Sequence, residues 1–520
     1  PRTEVLAREF SQMGWLNDAW GVKAALTAGR LVQDKVREIL QHLSQDVPEH
    51  RVFSHLGWRR IADNWVYLHA GGALGLEGIR VQPPVDLALY RFPKDPREPG
   101  KAYQALLRAL DVAPHRLTLP LFGAIHIAAF SSIVQPDFVL FLDGPTGSLK
   151  STLTALFLSA FGEFARKGLP NTWLSTAYQL LDLTFWAKDV LLVVDDYSPS
   201  TSHREASRLE EKAHTFIRAI GNRSGRGRLA PDGTPKPQRR PRAMVASSGE
   251  HLPPGQSVQA RLFILPVEPD SVDRVRLKAC QGETDLYPHA LSAYLLDIAP
   301  HYDDLVRSLP NEVIELRTKA QDSELHSRLP EAIAVLFLGC RMGIEAAKRF
   351  GALTSSQAAS LEAEAWAVLV EVAKEQGRVV QEENPVNRFF TILSELLRGG
   401  RMYLEGHATR QPENPQTWGW ERDLDGADLY QPKHGAERVG WVDRDALYLL
   451  PETTYRFVVE HCQRSGSYFP LSARALPRQL ASLGFLDVGE NKNSKVLMFH
   501  STYHRVWVVS RDRLREKFLL

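Results

Sequence analysis

Eight consecutive residues, Gly144-Pro145-Thr146-Gly147-Ser148-Leu149-Lys150-Ser151, carry the densest chemistry in this chain. They follow an apolar run at 138–142 and precede a helix-like segment at 152–161. Strand, glycine loop, Lys-Ser and helix in that order form the layout of a cradle for nucleotide phosphates. In such a cradle the backbone N–H groups of the loop surround the phosphates at the N-terminus of the following helix. Lys150 reaches the β- and γ-phosphates and Ser151 ligates Mg2+, so the loop, with Thr152 in the first helical turn, is expected to bind ATP. Leu149 departs from the pattern. It stands where the second glycine before the lysine is expected, and its side chain crowds a loop usually kept bare. The alternative is a glycine turn that happens to be followed by Lys-Ser.

Further polar groups lie downstream. Leu191-Leu192-Val193-Val194-Asp195-Asp196 is an apolar strand ending in paired acids. A buried strand delivers carboxylates to its C-terminal edge, where α/β folds place ligands. Asp195 is expected to hold the Mg2+, and Asp196 to orient and deprotonate the attacking water. Ala246-Ser247-Ser248-Gly249-Glu250 ends another apolar strand, and Ser248 is the polar tip chosen to contact the γ-phosphate or the water. Arg261 leads into a further apolar run, where a guanidinium suits the charge on a transferring phosphoryl group. A strand running into a polar turn is the plainer reading of the Asp195-Asp196 segment, and a surface salt-bridge arginine that of Arg261.

Residues 218–242 hold eight basic side chains, Arg218, Arg223, Arg226, Arg228, Lys236, Arg239, Arg240 and Arg242, and one acid, Asp232. Pro231-Asp232-Gly233 is a turn signal between two basic arms, which makes a β-hairpin. Such a cluster is an electrostatic footprint for a nucleic-acid backbone, with Arg223, Arg226, Arg228, Lys236, Arg239 and Arg240 as the DNA contacts. A solvated loop is the alternative.

These groups need elements to hold them. With 520 residues, 44% hydrophobic and 24% charged, the chain is long enough for several cores. The formal net charge of +2 says nothing about partners. Cys280, Cys340 and Cys462 lie too far apart for a disulfide framework or a cysteine zinc site, which fits a reducing, cytoplasmic setting. The apolar stretch 121–134 contains His126, Ser131 and Ser132 and is read as a buried helix, so no membrane is expected. The chain begins at Pro1, which suggests a fragment with a missing upstream segment.

The fold class is α/β, in five parts. Residues 1–115 form an α/β unit whose Trp58, Trp65 and Tyr67 are spaced as a hairpin around Asp63-Asn64. Residues 116–270 form a three-layer P-loop ATPase core with strands at 138–143, 190–195, 243–247 and 262–266. Residues 271–400 are helical and 401–438 are a polar linker. Residues 439–520 resemble a winged helix, with Arg474, Arg478 and Lys495 facing a DNA backbone; a protein-contact module is the alternative.

The order of loop, Asp-Asp strand, Phe216-Ile217-Arg218, basic hairpin, polar-tipped strand and Gln259-Ala260-Arg261-Leu262-Phe263 resembles the superfamily 3 helicases, hexameric AAA+ motors. The resemblance implies that Arg261 is a finger inserted into a neighbouring subunit's site, that Arg218 is a second trans-acting arginine, and that the hairpin lines a channel gripping single-stranded DNA. It also implies ATP-driven DNA unwinding, 3′ to 5′, by a homo-oligomer, a hexamer, with single-stranded or forked DNA and a primase or polymerase as partners. His55-Leu56-Gly57-Trp58-Arg59-Arg60-Ile61 and Trp65-Val66-Tyr67-Leu68-His69-Ala70-Gly71-Gly72 are similar to the N-terminal part of a family of unknown-function domains in replication helicases of phages, plasmids and mobile elements. Members of that family carry a Gly-x-x-Gly-x-x-Lys-Ser/Thr loop, which would make Leu149 a regular feature. Two other classes stay open: an ATP switch (initiator, loader or transposition regulator) on duplex DNA, and a signalling NTPase, which has no need of the basic cluster.

Overall fold

The computed structural model describes all residues except 1–2, 6, 24–30, 45–50, 199–201, 226, 230–231, 322–324, 326, 383–384, 423–429, 466–468, 489–492 and 516–520. At its centre lies a four-stranded parallel sheet in the order Leu262–Pro266, Val139–Asp143, Met244–Gly249, Leu191–Tyr197. The strands are near-continuous apolar runs because helices cover both faces. Val139 lies opposite both Val245 and Leu262, so the strands start level and end level. The four strands occur where the apolar runs place them, with two extensions: the acid strand continues to Tyr197, so Asp195 and Asp196 lie within it, and the serine strand continues to Gly249, so Ser248 lies within it.

Both edges of this sheet are capped in part. On one side Gln376, buried in helix Ser355–Glu382, accepts from Ile264 N at 2.9 Å and donates to Leu262 O at 2.8 Å, so its amide stands in for a further strand. On the other side Asp195 N donates to Asn171 O at 2.9 Å and Trp173 N to Asp195 O at 3.1 Å. These caps shorten the run of unpaired edge backbone that would invite another chain.

Residues 1–115, 116–270 and 271–400, expected as separate units, contribute to one apolar cluster running from Phe53 to Ala373. The N-terminal hairpin, Gly57–Ile61 with Asn64–His69, sets Trp58 opposite Tyr67. It is tied to the sheet through Asp189, whose carboxylate is fully buried and accepts from Trp58 N (3.2 Å), Ser132 N (2.9 Å) and Lys188. The segment His115–Val134 is long and apolar enough to cross a membrane, but 89% of its apolar window is buried inside the protein. Its buried ionisable group, His126, is satisfied there: its ring nitrogens meet the Phe122 carbonyl at 2.8 Å and the Tyr103 hydroxyl at 3.2 Å. Burial pulls its pKa down to about 4, so it is neutral in the core.

Residues 385–515 build a second core. Helix Pro385–Arg398 packs on a five-stranded sheet in the order Met402–Gly406, Glu437–Val442, Ala446–Leu449, Thr502–Ser510, Lys495–Phe499. The stretch 401–438 is therefore not a linker. Its strand Met402–Gly406 belongs to this sheet, and Trp418 and Trp420 are buried, with Trp420 Nε1 donating to Leu404 O at 2.7 Å. Average polarity misleads here, because two buried indoles outweigh many exposed Asn and Pro residues. Helices Pro451–Arg464 and Ala475–Ser482 precede the terminal strand pair, Lys495–Phe499 and Thr502–Ser510. Arg474 and Arg478 are exposed, whereas Lys495 pairs with Asp487 at 2.8 Å.

Candidate functional site

The glycine loop leaves the C-terminal end of Val139–Asp143 and closes on the N-terminus of helix Lys150–Leu158. A Cβ on Gly144 would lie 2.2 Å from the Val267 carbonyl oxygen, so only glycine lets the loop pass the neighbouring strand. Gly147 (φ +84°) and Leu149 (φ +66°) are both left-handed. For leucine that conformation costs about 1–2 kcal/mol. The half-buried Leu149 side chain packs against the main core, which offsets the strain and relieves the expected crowding of the loop. Pro145, Thr146 and Gly147 form the exposed tip, Ser148 is buried, and Thr152 is half-buried in the first helical turn.

Lys150 is 8% exposed and folds back across the loop. Its Nζ donates to Gly144 O (2.6 Å), Pro145 O (2.8 Å) and Ser148 Oγ (3.2 Å). Burial lowers its pKa, and the nearby charges of Glu250, Asp143, Asp195 and Asp196 oppose that shift. Asp143 ends the loop strand, and burial pushes its carboxyl pKa up.

Next to the lysine, Ser151 Oγ donates to Asp195 Oδ1 at 2.8 Å, and the Ser248 hydroxyl donates to the same oxygen. A β-bulge between Ser247 and Gly249 in the pairing with the acid strand sets Ser248 in this position. Asp196 is exposed with φ +65°, and its N–H points at Ser248 Oγ at 3.4 Å. Below them, Trp173 Nε1 donates to Ser247 Oγ (2.9 Å), which donates to Val194 O (2.7 Å). The ends of three strands are thus held in register around Lys150, Ser151, Asp195, Asp196 and Ser248.

Glu250 is a site residue that sequence reasoning did not single out. Its carboxylate accepts from the Thr146 hydroxyl at the loop tip. That hydrogen bond, with a weaker one to Ser198, lowers its pKa. Only its place two residues after Ser248 signalled it.

Arg261 and Arg218 are elsewhere. Arg261 precedes Leu262, which lies opposite Val139, whereas the loop follows Asp143. Four residues of parallel strand separate these levels by about 13 Å. Arg261 Nη1 donates to the carbonyl and, at 2.9 Å, the hydroxyl of Ser257, and Nη2 donates to Asn222 Oδ1 at 2.9 Å. Arg218 is exposed on helix His203–Gly221, beside a cleft of about 530 Å³ that His214 and Asn222 also line.

The basic segment does form a hairpin, Arg228–Leu229 paired with Pro235–Lys236, and Asp232 caps Thr234 N at 3.0 Å. Its members differ in use. Arg223 pairs with Glu331 at 3.2 Å. Arg239 pairs with Asp182 at 3.2 Å and stacks 4.8 Å over the Trp186 ring. Lys236 and Arg240 are exposed. Arg226 lies outside the described residues, and for Arg228 the structure describes the backbone pairing with Lys236.

Chemically, the loop end offers one ammonium, hydroxyls and carboxylates at a helix N-terminus. That set suits a phosphate anion carrying a hard divalent cation. Among the described residues no group of three or more His, Cys, Asp or Glu gathers to hold a metal by itself. A Mg2+ at Ser151 and Asp195 would therefore take its remaining oxygens from phosphates and water.

No protein-family model and no curated protein matches the chain. Its fold matches the solved structure named "SCCmec type IV Cch - active helicase", with a TM-score of 0.57 over 94% of this chain and 84% of that one. Sequence identity is 11%, so what the two chains share is the fold.

Proposed function

We infer that this chain is an ATP-driven DNA helicase of the AAA+, superfamily 3-like kind, from a phage, plasmid or other mobile element. The observation that carries the reading is the split of the site. Lys150, Ser151, Asp195 and Ser248 converge at one end of the parallel sheet, and Arg261 is held at the other. An arginine so placed completes a phosphoryl-transfer site only when a second copy of the chain brings it there, which implies a ring with ATP between subunits. The fold shared with a structure named an active helicase supports the same reading.

In the proposed mechanism the loop and Lys150 cradle the phosphates of ATP. Ser151 and Asp195 would hold Mg2+, which would supply neutralisation of phosphate charge. Ser248 keeps Asp195 oriented, while the exposed Asp196 takes the proton of the attacking water. Arg261 and Arg218 of one copy stabilise charge in the next. The hairpin sits between the acid strand and the serine strand, so closure around the phosphates moves Lys236 and Arg240 along single-stranded DNA, 3′ to 5′ by the resemblance. The helices and strand pair of residues 451–510 act as a winged-helix-like accessory surface. Unwinding of forked DNA with a 3′ or a 5′ tail tests the function. The 3′-tailed fork should open with ATP; ATP consumption without unwinding of either fork would favour the switch on duplex DNA instead.

Two variants sharpen the assignment. Replacing both Lys236 and Arg240 with alanine should weaken single-stranded DNA binding and reduce the log–log salt slope by about 1.4. An unchanged slope would move the contact away from the hairpin. Glu250→Gln removes a negative charge from the place the polyphosphate must enter, and nucleotide should bind roughly fivefold more tightly. A fall in turnover at unchanged affinity would instead make Glu250 a participant in water activation.

A further inference from the structure

The last turn of helix His203–Gly221 and the start of strand Leu262–Pro266 meet in an unusual way. A Cβ on Gly221 would lie 2.4 Å from Arg261 Cδ and 2.7 Å from its Cγ and Nε. The stem of Arg261 therefore lies directly on the bare Gly221 backbone. One residue later, Asn222 Oδ1 accepts from Arg261 Nη2 at 2.9 Å, and Ser257 holds the other guanidinium nitrogen. On the far side Arg328 Nη1 donates to Gly221 O at 3.0 Å and approaches Asp137 Oδ2 at 3.4 Å. Arg261 Nε is buried with no hydrogen-bond partner among the described residues.

We propose that Gly221 and Asn222 form a seat that fixes the side chain of Arg261 for its trans role, with Arg328 as the brace that holds the seat, so that all three are positioning residues. The proposal rests on the functional reading above and adds to it the reason Arg261 is ready before a neighbour's phosphates arrive. The electrostatics agree. Burial, then the like charges of Arg328 and Arg218, disfavour the Arg261 cation, and Asp137 is the one acid that favours it. A cation held in place against such a balance gains most from an incoming anion. The geometry also says which atoms must give. Gly221 has a negative φ that any residue adopts, so alanine there strains no backbone; the added methyl displaces the arginine stem.

The experiment compares Gly221→Ala, Asn222→Ala, Arg261→Ala and the double variant Gly221→Ala/Arg261→Ala as full chains, with ATP and Mg2+ as the probe. Gly221→Ala should lower kcat by about 10²-fold with little change in KM, as expected for a misplaced transition-state group. Asn222→Ala should do the same to a lesser degree. In the Arg261→Ala background the Gly221→Ala change should be silent, both in turnover and in thermal midpoint. Wild-type turnover in Gly221→Ala and Asn222→Ala alongside a crippled Arg261→Ala would overturn the seat alone. An equal drop of Gly221→Ala in both backgrounds would also overturn it, because the effect would then be structural. Undiminished turnover in Arg261→Ala would remove the functional reading itself, and the seat with it.

Discussion

Replacing Lys150 with alanine is expected to abolish ATP hydrolysis and DNA unwinding while leaving the fold intact. The size of the loss follows from where the ammonium sits. It is the cation of the loop, 8% exposed, and it spans the Gly144 and Pro145 carbonyls. A positioned charge of this kind acts in a water-poor site, where removing even a neutral donor costs about 10²–10³-fold in rate. Loss of a full charge should exceed that. The fold should survive, because burial already disfavours the charged lysine and its partners are its own loop carbonyls and Ser148. The sign for stability is therefore neutral to slightly favourable: below its lowered folded-state pKa the protonated lysine is a cost to the folded state, and alanine removes that cost. Circular dichroism and a thermal melt check the fold, and turnover with and without single-stranded DNA checks the function. Unwinding at the wild-type rate by this variant would end the nucleotide reading of the loop.

What was legible in the sequence was what is local in it. The glycine loop, the lysine and the following helix occupy one short run, and a strand ending in Asp195-Asp196 announces itself by its apolar lead. Parallel strands that start level bring such ends together, which is why Ser151 and Asp195 meet across 44 residues. Contacts that depend on tertiary geometry were not legible. The bulge that sets Ser248 on Asp195 shifts register by an amount no alternation pattern reveals. Glu250 meets Thr146 across 104 residues. Arg223 and Arg239, counted from composition as DNA contacts, find Glu331 and Asp182 in the folded chain, so a charge run overstated how much of the basic segment is available. The same weakness of averages hid the strands and buried tryptophans of 401–438.

Arg261 supports the second large prediction, in which two inactive proteins restore each other. Alone, Arg261→Ala should lose about 10³-fold or more of its hydrolysis, the usual worth of an arginine finger. Alone, Lys150→Ala should be inactive as argued above. Mixed and allowed to exchange subunits, they differ from either parent at one kind of interface: an Arg261→Ala chain contributes its intact Lys150, and a Lys150→Ala neighbour contributes its intact Arg261. With random assembly of a head-to-tail ring at equal ratio, about a quarter of the interfaces have that composition. Hydrolysis should therefore rise from near zero toward about a quarter of the wild-type value. It should fall again when either variant is in large excess. The prediction follows from the strand register. Arg261 lies one residue before Leu262, the partner of Val139, the loop begins after Asp143, and Ser257 and Asn222 hold the guanidinium at its own end of the sheet. A guanidinium acting within its own chain would have to leave that end, and no mixture could then recover activity. Absence of recovery at every ratio, with subunit exchange verified by mass, would exclude a trans role for Arg261.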